Sequence, residues 1–166
     1  MKGDGNGWSA SPDGGKTWGR FGAAGLFLVA NLDSGPELLL QHRAYWTAGG
    51  GTWAVPGGAR DSHETPAEAA LREAVEETSI DPERVEILSS IQTAGPYPAD
   101  PSRPELAGGW TYTTVLARTS ERLSTSGNDE SLELAWVPLD QLAEYDLLPP
   151  FAAALPGLVV ELRAQL

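Results

Sequence analysis

The chain contains no cysteine. Disulfides, Cys-ligated zinc and a thiol nucleophile are therefore excluded. Positive charge is also scarce: 11 lysines and arginines stand against 23 aspartates and glutamates, a net charge of −12. No Lys/Arg cluster is present to neutralise phosphates, so duplex nucleic acid is a disfavoured partner. A small anionic substrate then has to be met by metal ions and a few placed arginines. Long apolar runs are missing too. Leu26–Ala30 is too short to span a membrane and lacks the basic flank of a signal peptide, so the expectation is a cytoplasmic protein without membrane contact. No internal repeat or linker divides the chain, and its 166 residues, 41% hydrophobic, suffice for one domain with a sizeable core.

What the chain does have is concentrated in Gly57–Ile80, GGARDSHETPAEAALREAVEETSI. Thr65-Pro66-Ala67-Glu68 fits a capping box, with Thr65 at the N-cap, Pro66 at the first helical position and Glu68 reaching back. The following residues are good helix formers, and Asp81-Pro82 ends the run. Leu71, Val75, Thr78 and the alanines can face a core. Glu73, Glu76 and Glu77 stand at i, i+3 and i+4, which turns their carboxylates to one side. Like charges at that spacing repel, by a few tenths of a kcal/mol per pair (~0.2–0.5) on an exposed helix. A cation removes the repulsion, and a set of carboxylate oxygens with a nearby carbonyl suits a hard ion such as Mg2+ or Mn2+.

The same stretch closely resembles the Nudix box, G-x5-E-x7-R-E-U-x-E-E-x-G-U with U aliphatic. Gly58, Glu64, Arg72, Glu73, Glu76, Glu77 and Ile80 match it, Ala74 is a small residue at an aliphatic position, and Ser79 stands where the family has glycine. That glycine serves as a left-handed residue after the helix, so serine there bears on stability and not on chemistry. The resemblance covers roughly residues 20 to 155. It implies an α/β fold, an α/β/α sandwich around a mixed sheet, with residues 1–20 as a flexible or irregular lead-in and residues 21–166 as the domain.

By the same resemblance the reaction is hydrolysis of a diphosphate bond in a nucleoside diphosphate linked to another group. Glu73, Glu76 and Glu77, with a carbonyl of Gly57 or Gly58, are the implied metal ligands, and Glu130 is a further candidate, ahead of Asp129 and Glu105. Glu76 and Glu77 are both candidates for the general base. Arg72 is expected to orient a carboxylate through a charge-assisted hydrogen bond, and Glu64 to act beside it or through water.

Around this stretch, Phe21–Ala30 and Glu37–His42 read as a strand pair joined by a turn at Asn31–Gly35. Arg43, at the Q-H-R end of the second strand, is a candidate phosphate or base contact. Tyr45 and Trp46 follow it and are candidates for stacking on a nucleobase. Trp53 and His63 read as structural and surface residues. Glu83–Thr93, Trp110–Arg118 and Asp129–Leu139 read as further strands, with a short helix over Asp140–Glu144 and a C-terminal helix interrupted at Pro156-Gly157. The loop Gly95–Gly109 is long for a compact domain and is expected to select the substrate. Within it, Pro96 resembles a marker of ADP-ribose pyrophosphatases and Tyr97 one of dinucleoside polyphosphate hydrolases, so the two do not discriminate. The compact size and the Q-H-R strand end resemble the MutT branch, which makes oxidised dGTP the leading substrate. A non-catalytic nucleotide sensor is disfavoured because no box glutamate is lost, and an isopentenyl diphosphate isomerase because its cysteine is absent. A homodimer is compatible with the sequence but not specified by it.

Overall fold

The structure, a computed structural model, describes residues 3–166. Its centre is a seven-stranded mixed sheet. Strand β3 (Ala23–Leu32) runs through the middle, antiparallel to β4 (Gly35–Arg43) and parallel to β8 (Trp110–Thr119). Beyond β8 lies β7 (Glu86–Tyr97), and beyond β4 lie β5 (Trp53–Ala54) and β9 (Ser131–Pro138). The short β6 (Gly57–Ala59) pairs with the start of β3.

The apolar runs of the central strands are covered on both faces, and period-two alternation sorts their side chains into two cores. Leu26, Leu28, Leu39, Val115 and Ala117 pack with Ala69, Ala70 and Ala74 of helix α1 (Pro66–Thr78). Phe27, Val29, Leu38, Leu40 and Leu116 pack on the other face with Phe151, Leu158 and Leu162 of helix α2 (Pro149–Gln165). This is the α/β/α sandwich expected. Among the described residues no helix is long and apolar enough to cross a membrane.

Helix α1 forms as its capping box predicts, with Thr65 and Glu68 exchanging both bonds. Its C-cap Ser79 takes the left-handed conformation at φ 61° and ψ 23°. That costs a non-glycine residue about 1–2 kcal/mol, and the Ser79 hydroxyl offsets part of it by donating to the Ser126 carbonyl at 2.9 Å.

Three expectations change. Residues 8–18 are not an irregular lead-in: β1 (Trp8–Ala10) and β2 (Lys16–Trp18) form a hairpin in which Trp8 and Trp18 meet edge to face at 4.9 Å. The hairpin is held from outside. Ala10 N–H donates to the Ala107 carbonyl at 2.9 Å and Arg103 reaches the Gly14 and Gly15 carbonyls at 2.8 and 2.9 Å. The substrate-loop candidate is correspondingly shorter, because Tyr97 still pairs with Trp110, and residues 98–109 are tied to the hairpin. Finally, α2 runs through Pro156 without a break. Pro156 and Ala152, whose carbonyl loses its helical partner, both face solvent, so water can satisfy that group. The buried stripe of Phe151, Leu158 and Leu162 holds the helix on either side of it.

Candidate active site

Gly57 and Gly58 stand in β6 rather than in a turn, and neither needs a left-handed backbone. Their missing side chains matter for space. A Cβ at Gly57 would come 2.4 Å from the Ala24 carbonyl oxygen, and one at Gly58 would come 2.5 Å from the Glu73 carboxyl carbon. Two glycines therefore let β6 lie against β3 on one side and against the acidic face of α1 on the other.

Into that seam α1 turns Glu77. Its side chain accepts the Gly57 N–H at 2.9 Å and is 2% exposed. Burial pushes its pKa up to about 10, helped by the side chain of Glu130, which is hydrogen-bonded to it, and by the charge of Glu73. Glu73 is shifted upward as well, again by burial first, although Arg72 pulls it the other way. Glu76 stays at the surface, its side chain 55% exposed. The three carboxylates thus share one side of the helix at three depths.

Arg72 organises the outer part. It grips Glu64 through two bonds, Nε to Oε2 at 2.6 Å and Nη2 to Oε1 at 2.8 Å. Nη1 donates to Glu73 at 2.9 Å and to Glu76 at 3.4 Å, and Nη2 also reaches the Ala59 carbonyl at 3.0 Å. These partners raise the Arg72 pKa further, and Arg72 holds the buried Glu64 carboxyl below the usual range. Glu64 is thereby committed to the arginine, as a fork-to-fork ion pair.

Among the described residues no three carboxylates or histidines stand arranged to hold an ion without adjustment. The donor set nevertheless fits a hard divalent ion. Glu73 and Glu77 are both held against ionisation, by burial first and with Glu130 beside them, and the backbone of β6 runs alongside. A divalent cation is what such a group of oxygens lacks.

The candidate substrate residues lie on a separate rim. Arg43, at the end of β4, donates from Nε to the Ala48 carbonyl at 2.8 Å, which shapes the 44–51 loop. On that loop Tyr45 and Trp46 are 75% and 67% exposed, and the Trp46 indole N–H is anchored on the Asp129 carbonyl at 3.0 Å, next to Glu130. Tyr97 lies instead at the end of β7, stacked on Trp110 at 5.3 Å. Trp53 stacks on His42 at 4.5 Å, and His63 is exposed, in keeping with structural and surface roles.

Two polar residues at the site were not singled out from the sequence. Tyr112 sits on β8 with its hydroxyl pushed up to about 12 by burial, between the opposing influences of Arg43 and Glu77. A Cβ at Gly25 would come 2.1 Å from that hydroxyl, so Gly25 makes its room. Alternation along Trp110–Thr114 marks a strand, and the register puts Tyr112 on the same face as Leu116, the α2 side of the sheet. The second is Asp61, buried below Arg72. A concavity of about 390 Å3 lies elsewhere, lined by Gly7, Trp8, Arg20 and residues 104–107; the candidate Glu105 stands there, and Glu73, Glu76, Glu77 and Glu130 do not line it.

Residues 20–158 match the NUDIX domain family. The chain is 48% identical over 155 residues to a Mycobacterium tuberculosis protein named "Putative 8-oxo-dGTP diphosphatase 3", covering 93% of this chain and 69% of that one. The crystal structure of the Nudix hydrolase RenU from M. smegmatis superimposes with a TM-score of 0.84 at 46% identity, covering 96% of each chain. A C. elegans Ap4A hydrolase shares the fold, with a TM-score of 0.64 at 22% identity over 86% of this chain and 98% of that one. The chain belongs to the NUDIX family of phosphoanhydride hydrolases.

Proposed function

We propose that this hydrolase cleaves a diphosphate bond of a nucleotide at the seam between β6 and α1, and that its substrate is an oxidised purine nucleoside triphosphate such as 8-oxo-dGTP. The observation that carries the site is Glu77: a carboxylate 2% exposed, against a backbone N–H and two further acids, held where charge is unfavourable unless a cation joins it. The substrate rests on the name of the M. tuberculosis relative and on the strand end at Gln41–Arg43.

Glu73, Glu76, Glu77 and Glu130, with a β6 carbonyl of Gly57 or Gly58, would hold Mg2+ or Mn2+. When bound, the ion neutralises phosphate oxygens and lowers the pKa of water. The chain's own part is positioning. Arg72 fixes Glu73 and Glu76 from one side, and Glu64 fixes Arg72. Glu77 and Glu76 are the candidates to accept a proton from the attacking water. Arg43 supplies a fork for phosphate, and the exposed Tyr45 and Trp46 faces offer a stacking platform for a base.

A panel of 8-oxo-dGTP, dGTP, ADP-ribose and diadenosine tetraphosphate, each with Mg2+ and with Mn2+, tests the reading. The expected result is the highest kcat/KM on 8-oxo-dGTP, with a nucleoside monophosphate and diphosphate as products. Preference for ADP-ribose or the dinucleoside polyphosphate would overturn the substrate while leaving the bond type, and no hydrolysis of any of them would overturn both.

A further inference from the structure

The start of the described chain is tied to the loop that carries Glu64. The Gly3 and Gly5 N–H groups donate to Oδ2 and Oδ1 of Asp61, each at 2.9 Å. Ser62 donates to the Asp4 carboxylate through its backbone N–H at 2.8 Å and through its hydroxyl. Asp61 is 5% exposed, and its Oδ2 stands 4.0 Å from Arg72 Nη2. Its backbone N–H donates to Glu64 Oε1 at 2.9 Å. Arg72 Nη2 is already engaged by Glu64 and by the Ala59 carbonyl. A buried carboxylate deprived of its own donors, at this distance from a guanidinium, would compete for it. The two glycine N–H groups satisfy both Asp61 oxygens and remove the competitor.

We propose that Gly3–Gly5 is a positioning arm: by occupying Asp61 it leaves Arg72 on Glu64 and Glu73, and so sets the affinity of the carboxylate seam for its divalent ion. The proposal rests on the metal-site reading above. The arm is seated closely, since a Cβ at Gly5 would come 2.1 Å from the Arg60 carbonyl oxygen, a backbone atom that cannot turn aside. Gly5→Ala therefore keeps the N–H but lifts the arm from its seat. Asp4→Ala loosens the same arm through Ser62.

The test measures Mn2+ binding to the substrate-free protein by electron paramagnetic resonance, alongside half-saturating Mn2+ in hydrolysis and thermal stability. Gly5→Ala is expected to weaken Mn2+ binding about tenfold, the lower end of losses for groups that support metal ligands, and Asp4→Ala to weaken it in the same direction. Asp61→Asn removes the competing anion. In that background Gly5→Ala is expected to shift Mn2+ affinity by no more than about twofold, which independent sites would not do. Leu162→Ala, buried on the far face of the sheet, lowers stability but leaves Mn2+ binding unchanged. Wild-type Mn2+ binding by Gly5→Ala and Asp4→Ala, with Glu77→Gln defective, would overturn the arm's role while the metal site stands. A full tenfold loss in the Asp61→Asn background would overturn the route through Asp61. Undiminished binding by Glu77→Gln would overturn the metal-site reading itself, and the arm's role with it.

Discussion

Replacing Glu77 by glutamine keeps the shape of the side chain and removes its charge. In the metal-free protein the native carboxyl is pushed up to about 10 from an ordinary 4.5, by burial first and then by Glu130 and Glu73. The folded state therefore binds a proton that the unfolded state has released. Stability from this group is fully present below about pH 4.5 and is lost as pH rises toward the folded value. From 4.5 to pH 7, at 1.36 kcal/mol per unit, the loss is about 3 kcal/mol. Glutamine escapes it. Its amide oxygen can accept the Gly57 N–H as Glu77 does at 2.9 Å, and its NH2 can donate toward Glu130 as the protonated acid does.

The expected result is thus a more stable but inactive protein. At 2–4 °C per kcal/mol for this chain length, metal-free Glu77→Gln melts up to about 10 °C higher at pH 7. The difference from wild type vanishes near pH 4.5 and grows toward pH 9. Mn2+ at 100 times its dissociation constant stabilises wild type by ~2.7 kcal/mol, and should leave the variant nearly unmoved. Hydrolysis should fall by at least about 10²-fold. Scanning calorimetry from pH 4.5 to 9 with and without Mn2+, together with a diphosphate-release assay on 8-oxo-dGTP, reads all three. A variant less stable than wild type at pH 7, or one with wild-type turnover, would refute the reasoning.

Arg72→Lys keeps a positive charge but cannot bond Glu64 twice while also reaching Glu73 and Ala59. It should cost about 2 kcal/mol in urea titrations and about 10–100-fold in kcat, and an unchanged kcat would contradict the role given to the arginine. On the acid side, Asp61 is held below its ordinary 3.8 by the Gly3 N–H first, so its stabilisation is present above that value and lost as pH falls through the lowered one. Melting temperatures between pH 2 and 5 should accordingly depend less on pH in Asp61→Asn than in wild type. Trp46→Ala should raise KM for the nucleotide about 5-fold or more with kcat little changed, as loss of base stacking does, and an unchanged KM would remove Trp46 from the binding platform.

Helix α1 was legible because its signals are local. The Thr65–Glu68 box, Pro66 and the left-handed cap at Ser79 all lie within one turn of the ends they fix. The central strands were legible because burial on both faces leaves continuous apolar runs, and β3 is one. The hairpin of β1 and β2 was not, because its strands are three residues each and its stability comes from bonds to residues nearly ninety positions away. Glycine and serine in that stretch read as loop, and nothing local contradicts them. The continuity of α2 through Pro156 was also hidden, since it depends on which side of the helix the lost hydrogen bond faces.

The candidate site divides in the same way. Spacing at i, i+3 and i+4 places Glu73, Glu76 and Glu77 on one side of a helix but carries no information about depth. Depth is supplied by β6, whose two glycines let a backbone strand lie against α1 and close over Glu77 while leaving Glu76 in solvent. The glycines and the glutamates are therefore one device read in two places. Without the glycines Glu73 has no room and Glu77 no donor, and without the glutamates the close approach of β6 encloses nothing that needs a cation. Arg72 completes it from the outer side, and it does so only while Glu64 and Asp61 keep their own partners. A box motif records the identities of the first two sets. The partners of Asp61 lie outside it, at Gly3 and Gly5, where a motif of this length cannot reach.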